Sequence, residues 1–329
     1  MKNERRESSA GFALGVIMGA AAAVTAGVLG GIGNRLYNMV MKKGSKDVFM
    51  NDTRFNSGED ETSTQANEKA EEGYKLWLEE KAFEEAEIIA FDGLRLAGKI
   101  YKASGAETNK WVIAVHGYNA TGENMRKPAF YFTKTMGINT LAVDCRGNGE
   151  SQGGYIGMGW YDRLDIISWI NYVISLDPSA EIILYGISMG ASAVMMASGE
   201  RLPENVKCVI EDCGYTSLWD EMVWQLERAY KISPFPALNA MDAICQVRAG
   251  FSIKEASAVR QIKKSRIPTL FIHGEEDRFV PYPMVFTLYQ EMRGPKDIFT
   301  VPGAGHAKSS VVAPKAYWAK VEEFIGKYV

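Results

Sequence analysis

Hydrophobic and polar residues change their rhythm three times along the chain. Residues 11–33, GFALGVIMGAAAAVTAGVLGGIG, hold no charged side chain. As a helix they would extend about 35 Å, enough to cross a hydrocarbon core of about 30 Å. Residues 44–73 are polar, acidic and almost free of large apolar side chains. That is the composition of a solvated tether, turning helical toward EKAEEGYKLWLEEK. From about residue 83, short apolar runs alternate with segments of helical spacing. EAEIIAF and LRLAGKIYKA read as a hairpin across Asp92-Gly93, a favoured two-residue turn. WVIAVHG, INTLAVDCRG, EIILYGIS, VKCVIEDCG, IPTLFIHG and KDIFTVPG read as strands. Helices are expected near GENMRKPAFYFTKTMG and over YDRLDIISWINYVISLD, MGASAVMMASGE, PYPMVFTLYQEMRG and YWAKVEEFIGKYV. Continuous apolar strands alternating with amphipathic helices predict an α/β fold, a mostly parallel sheet covered by helices on both faces. In such sheets ligand chemistry gathers at the carboxyl ends of the strands.

One interruption breaks the alternation. Residues 214–266 are mostly helical and far too long for an ordinary loop. Their aromatics Trp219, Trp224 and Tyr230 are candidates to line a substrate pocket; the other reading is that they pack the insertion onto the sheet.

The apolar N-terminal run has its own pattern. Small residues recur at every fourth position, Gly11, Gly15, Gly19, Ala23, Gly27 and Gly31. On a helix they form a smooth stripe suited to self-association in a membrane. A cleaved signal peptide ending near Val24-Thr25-Ala26 is the competing reading, but the apolar run continues past that point, so an uncleaved anchor is preferred. Lys2, Arg5 and Arg6 precede the run and Arg35, Lys42, Lys43 and Lys46 follow it, a nearly even balance. The expected organisation is a tail at 1–10, a single-pass anchor in the cell membrane at 11–33 and a tether at 34–73. A catalytic domain at 74–329 follows, expected on the extracytoplasmic side. A net charge of −3 gives no reason to expect a nucleic-acid partner. Of the four cysteines, Cys208 and Cys213 are too far apart for a Cys-x-x-Cys clamp and no histidine pair is near them, so no metal site is expected. Buried free thiols are the expectation for all four, Cys145 and Cys245 included.

Chemistry concentrates around Ser188. In EIILYGISMGASA, residues 181–193, it follows an apolar strand and precedes a small-residue helix, the setting a nucleophile elbow requires. Gly186 and Gly190 leave room for the sharp turn. The N–H of Met189, directly after the serine, is a natural oxyanion donor. Acyl transfer by serine also needs a base and a carboxylate to orient it. The chain has three histidines, each after a strand. His306, in VPGAGHAKSS, is the candidate base. His116 is expected to fix a loop whose Tyr118 N–H supplies the second oxyanion donor, and His273 to make a structural hydrogen bond. Asp277 is the candidate acid, with Glu275 and Glu276 as rivals and helix capping as the alternative role. Asp144 precedes the serine and is assigned to turn structure with Arg146.

The segments HGYNATGENM, DCRGNGESQGG, GISMGA, HGEEDRFVP and GAGHAKS, in that order, make residues 83–329 resemble the α/β-hydrolase superfamily. GYIGMGWYDRLD further resembles a bacterial branch of membrane-anchored or secreted serine esterases and serine aminopeptidase-like enzymes. The resemblance implies Ser188 as nucleophile, His306 as base, Asp277 as acid, and Met189 and Tyr118 as the oxyanion hole, with no metal or organic cofactor. It places the lid at 214–266, which is not strongly apolar: it carries Asp220, Glu221, Glu227, Arg228 and Lys231. The implied reaction is cleavage of a small-molecule acyl ester. Amide cleavage by an aminopeptidase-like serine peptidase is the alternative, and a non-catalytic membrane scaffold the third reading.

Overall fold

The structure is a computed structural model that describes residues 27–44, 65–80, 83–105, 107–228 and 231–329. The expected strands are all present: β1 (Glu84–Ile89), β2 (Arg95–Tyr101), β3 (Lys110–Val115), β4 (Asn139–Val143), β5 (Glu181–Ile187), β6 (Val206–Asp212), β7 (Thr269–Gly274) and β8 (Lys296–Val301). They form one sheet in the order β1-β2-β4-β3-β5-β6-β7-β8. β1 and β2 pair antiparallel across the Asp92-Gly93 turn, where Gly93 has φ 85°. β2 also meets β4 antiparallel, and every pairing from β4 to β8 is parallel.

Because side chains alternate along a strand, the strands from β2 to β8 feed two cores, one on each face of the sheet. On β5, Ile182 and Leu184 enter one apolar cluster while Ile183 and Tyr185 enter the other. The first cluster is covered by α4 (Asp162–Leu176), α5 (Met189–Ser198), α8 (Ala258–Ile262) and α9 (Pro283–Glu291). The second is covered by α2 (Gln65–Glu80), α3 (Arg126–Phe130) and α11 (Pro314–Ile325). A short α10 (Ser309–Val312) precedes α11. The single helix expected near residues 122–137 is instead a succession of a 3₁₀ turn (Gly122–Met125), α3 and a π turn (Tyr131–Thr135).

Between β6 and β7 the insertion folds as α6 (Leu218–Arg228), α7 (Ala237–Ala249) and α8. Residues 27–40 form a helix, α1, that packs on it. Tyr37, Val40 and Met41 are at most 2 % exposed and join the core cluster that holds Leu238, Met241 and Cys245 of α7. Residues 34–44, inside the stretch expected as a tether, are thus packed on the insertion and on the loop after β4; most of the remaining tether lies outside the described residues. Among the described residues no helix is long and apolar enough to cross a membrane. The expected span at 11–33 lies outside them except for its last seven positions, 27–33, which belong to α1.

Candidate active site

The carboxyl ends of β5, β6, β7 and β8 deliver the site. β5 ends at Ile187 and α5 starts at Met189, so Ser188 alone makes the turn, with φ 57° and ψ −117°. A residue with a Cβ takes such a conformation only when its surroundings hold it there. Its N–H donates to the Asp212 carbonyl at 2.8 Å and its own carbonyl accepts from Ser192 N–H at 3.0 Å. Glycine is obligatory on either side: a Cβ at Gly190 would collide with the Val115 and His116 carbonyls, and one at Gly186 with the backbone of Gly190.

His306 lies in the loop after β8 and comes within 2.8 Å of the Ser188 hydroxyl through Nε2. Its Nδ1 is 2.7 Å from Oδ2 of Asp277, in the loop after β7. An ionised carboxylate only accepts, so Nδ1 carries the proton of that bond and Nε2 is the nitrogen that faces the Ser188 hydroxyl. Oδ1 of Asp277 is held by the N–H groups of Phe279 (2.9 Å) and Val280 (3.0 Å). Burial works to raise the Asp277 pKa, but the His306 charge and the hydrogen bonds from His273 and His306 overcome it and bring it down to about 2. Asp277, rather than Glu275 or Glu276, is the carboxylate that meets His306; Glu275 accepts from the Thr300 hydroxyl instead.

The other two histidines brace the site. His116 Nδ1–H donates to the Gly117 carbonyl at 2.7 Å, leaving Nε2 to accept the Cys145 N–H at 3.0 Å. Burial lowers its pKa, in keeping with that neutral tautomer. This ring fastens the loop after β3 to the end of β4. His273 Nε2–H donates to the Val280 carbonyl at 3.1 Å and lies 3.3 Å from Asp277 Oδ2. Asp144 joins turns as expected, accepting from Gly122 N–H (2.7 Å) and Glu150 N–H (2.8 Å). Arg146 is not its partner. That guanidinium is buried against Asp165, with two bonds of 2.7 Å, and Asp92 at 2.8 Å.

The expected oxyanion donors adjoin Ser188, Met189 in the chain and Tyr118 through its neighbour Gly117. Met189 is the first residue of α5, so its N–H has no partner inside the helix. Gly117, which precedes Tyr118, packs so closely beside Ser188 that a Cβ there would lie 3.3 Å from the serine Cβ. The expected pocket aromatics are more dispersed. Trp224 donates from Nε1 to the Arg278 carbonyl at 3.0 Å, next to Asp277 in the chain. Trp219 is half-buried with the Lys254 ammonium 4.3 Å over its ring. Tyr230 lies outside the described residues.

Two neighbours of the site were not singled out in the sequence. All four cysteines are free and buried, and one of them, Cys213, brings its sulfur within 4.8 Å of the ligand atoms of Asp277 and His306. Both of those side chains are engaged with each other by the hydrogen bond above. The second is Glu221 on α6, which reads as a lid charge by composition but is fully buried. Its Oε1 accepts from Gln225 Nε2 at 2.7 Å, and the same amide donates to the Phe279 carbonyl at 3.1 Å, stitching α6 to the Asp277 loop. Oε2 has no partner among the described residues. Burial, opposed by the Gln225 hydrogen bond and reinforced by the Asp277 and Asp220 charges, pushes the Glu221 pKa up to about 8.

That shift gives a signed expectation. Folding makes Glu221 bind its proton more tightly, so its contribution is fully present below about pH 4.3 and is lost as pH rises through about 8. Glu221→Gln keeps the acceptor for Gln225 and removes the titration. The variant should melt above the parent at pH 9, by about 2–4 °C for each kcal/mol of that loss, and converge on it toward pH 5. Parallel melting curves across that range would show that Glu221 does not titrate in this way.

The family model for serine aminopeptidase, S33, matches residues 106–236. The uncharacterized protein YqkD of Bacillus subtilis is 28 % identical over 253 residues, covering 74 % of this chain and 81 % of that one. YfhR of Salmonella typhimurium is 30 % identical over 231 residues, covering 68 % and 75 %. Among solved structures, the Pyrococcus furiosus esterase Pf2001 superposes with a TM-score of 0.60 at 20 % identity, over 75 % of this chain and 91 % of its own. The Pyrococcus horikoshii acylaminoacyl peptidase superposes with a TM-score of 0.57 at 19 % identity, over 78 % and 43 %. At such identities the likeness is one of fold.

Proposed function

The chain belongs to the α/β-hydrolase superfamily, and from that premise we propose that it is a serine hydrolase that cleaves carboxylic esters through an acyl-Ser188 intermediate. Two hydrogen bonds in series support this reading most directly, Asp277 to His306 at 2.7 Å and His306 to Ser188 at 2.8 Å. In the proposed reaction the Ser188 oxygen attacks the ester carbonyl as its proton passes to His306 Nε2. Asp277 stabilises the resulting imidazolium, and the N–H groups of Met189 and Tyr118 receive the negative oxygen of the tetrahedral intermediate. Collapse breaks the bond to the alkoxy group, which departs as alcohol with the proton from His306. Water then repeats the sequence on the acyl-serine, releasing the acid and restoring the serine hydroxyl.

The insertion at 214–266 is assigned the role of lid. Trp219 and Trp224 are its candidate substrate contacts, with Tyr230 assigned from sequence alone. An alcohol leaves more readily than an amine, so esters suit this triad first, while the serine aminopeptidase description of the matching family supports amide cleavage as the alternative. Turnover of esters of graded acyl length, measured beside aminoacyl amides on the full chain, separates the two. The expected kcat/KM is at least about tenfold higher for short acyl esters. Faster cleavage of the amides would establish the peptidase reading, and inertness toward both would favour a non-catalytic scaffold.

We further propose that residues 11–33 anchor the protein in the cell membrane as a single span, with the hydrolase domain outside the cytoplasm. Their uncharged length supports this, and the stripe from Gly11 to Gly31 supports self-association within the bilayer. A Cβ added at Gly27 or Gly31 would meet nothing within 4 Å, so these two members of the stripe are unencumbered by the rest of the domain. Labelling of Ser188 on intact cells by a membrane-impermeant fluorophosphonate reports the sidedness; labelling only after lysis would reverse it.

A further inference from the structure

α1 meets the domain at three places. Its backbone at Gly33 lies against α7, where a Cβ would come within 2.5 Å of the Ala240 carbonyl group. Arg248 of α7 donates to Asn34 and Asn38 at 2.8 Å each and lies 4.3 Å over the Tyr37 ring. Past the helix, the Met41 carbonyl accepts from Ile156 N–H at 2.7 Å and Lys43 Nζ donates to the Ser151 carbonyl at 3.2 Å, both in the loop after β4. The third place is the candidate active site. The carbonyl of Val40, in the last turn of α1, is one that a helix cannot satisfy internally. It accepts from the Tyr118 hydroxyl at 2.8 Å. Burial pushes the Tyr118 pKa up to about 12 despite the Asn119 hydrogen bond, so the phenol keeps the proton it donates.

We propose that α1 is a positioning element of the active site. Through the Val40 carbonyl and the Tyr118 hydroxyl it holds the loop that aims the Tyr118 N–H at the reacting oxygen. The inference rests on the reading of Ser188 as nucleophile and of Tyr118 as oxyanion donor. The loop from His116 to Tyr118 is then clamped from two directions. His116 ties one side to the Cys145 N–H at the end of β4, and Tyr118 ties the other to α1. Gly117, between them, packs on Ser188. A donor placed this way counts only if it does not move when charge develops, because preorganisation is what makes an oxyanion hole effective. Positions 27–33 of the proposed anchor belong to α1, so the anchor and the oxyanion loop meet on that helix. Orientation of the domain at the bilayer and placement of the donor would then be coupled.

Tyr118→Phe removes the hydroxyl and keeps the ring. Gly33→Leu wedges α1 away from Ala240 without touching the site. In the full chain each should lower kcat on a short acyl ester about tenfold, a fraction of the 10²–10³ that follows outright loss of an oxyanion donor, with KM changed less than about twofold. Because both act through one contact, the double variant should be no slower than the slower single variant. Ser188→Ala is run in parallel. Fluorophosphonate labelling that survives Ser188→Ala would overturn the reading of the site and this inference with it. Labelling lost in Ser188→Ala, with parental kcat in Tyr118→Phe, would overturn this inference alone. So would losses that multiply in the double variant. Tyr118→Phe decides the matter even if Gly33→Leu fails to fold.

Discussion

Ser188→Ala is expected to reduce ester turnover about 10⁴- to 10⁶-fold and to abolish covalent labelling by a fluorophosphonate. In the proposed reaction the Ser188 oxygen forms the new acyl bond, and its proton acceptor, His306 Nε2, lies 2.8 Å away. What survives its removal is the catalysis that binding and oxyanion donors sustain without a nucleophile. Stability should change little. Alanine keeps the Cβ, so the strained φ of 57° is unaltered, and both backbone hydrogen bonds of residue 188 are retained. Ser188→Ala combined with His306→Ala should be no slower than either alone, because a base without its nucleophile has nothing to activate. Turnover within tenfold of the parent in a folded Ser188→Ala sample would remove Ser188 from the mechanism.

The parts of this fold that are local in sequence were legible there. The central strands announce themselves as apolar runs, and the elbow is written in five residues because both glycines are dictated by carbonyls that a Cβ would strike. Asp277 and His306 were readable because each follows a strand whose end the parallel topology carries to the same sheet edge. Contacts made by chain returning from elsewhere were not. Glu221 looks like a surface charge in its own helix and is buried only because α6 folds back over the Asp277 loop. Arg146 meets Asp165 and Asp92, nineteen and fifty-four positions away, in place of the neighbouring Asp144. The docking of α1 is the largest instance. GIGNRLYNMV reads as the end of an apolar run passing into polar chain, and what fixes it is a missing side chain at Gly33 and two amides that meet Arg248. None of these has a period or a motif.

Asp277→Asn should be nearly as damaging as loss of the nucleophile, with kcat falling about 10⁴-fold at pH 7 while KM moves little. Asparagine fits the space, but its two ends are no longer alike. Oδ1 of the aspartate accepts two backbone N–H groups, from Phe279 and Val280, so the carbonyl of the amide must take that place. The NH₂ group then faces His306 Nδ1 and donates to it. The imidazole responds by carrying its proton on Nε2, which now points a donor at Ser188 where an acceptor is required. The wrong tautomer is locked in by two bonds the variant cannot give up. The parent has no such conflict at working pH, since a pKa brought down to about 2 keeps Asp277 ionised throughout the neutral range. The same depression sets the sign for stability. Asp277 contributes above about pH 3.9, its ordinary range, and the contribution is lost as pH falls through about 2. Asp277→Asn should therefore melt below the parent at pH 7, and the gap should close as both are acidified. Parallel pH–rate profiles with a loss under about a hundredfold would mean that Asp277 does not set the tautomer of His306.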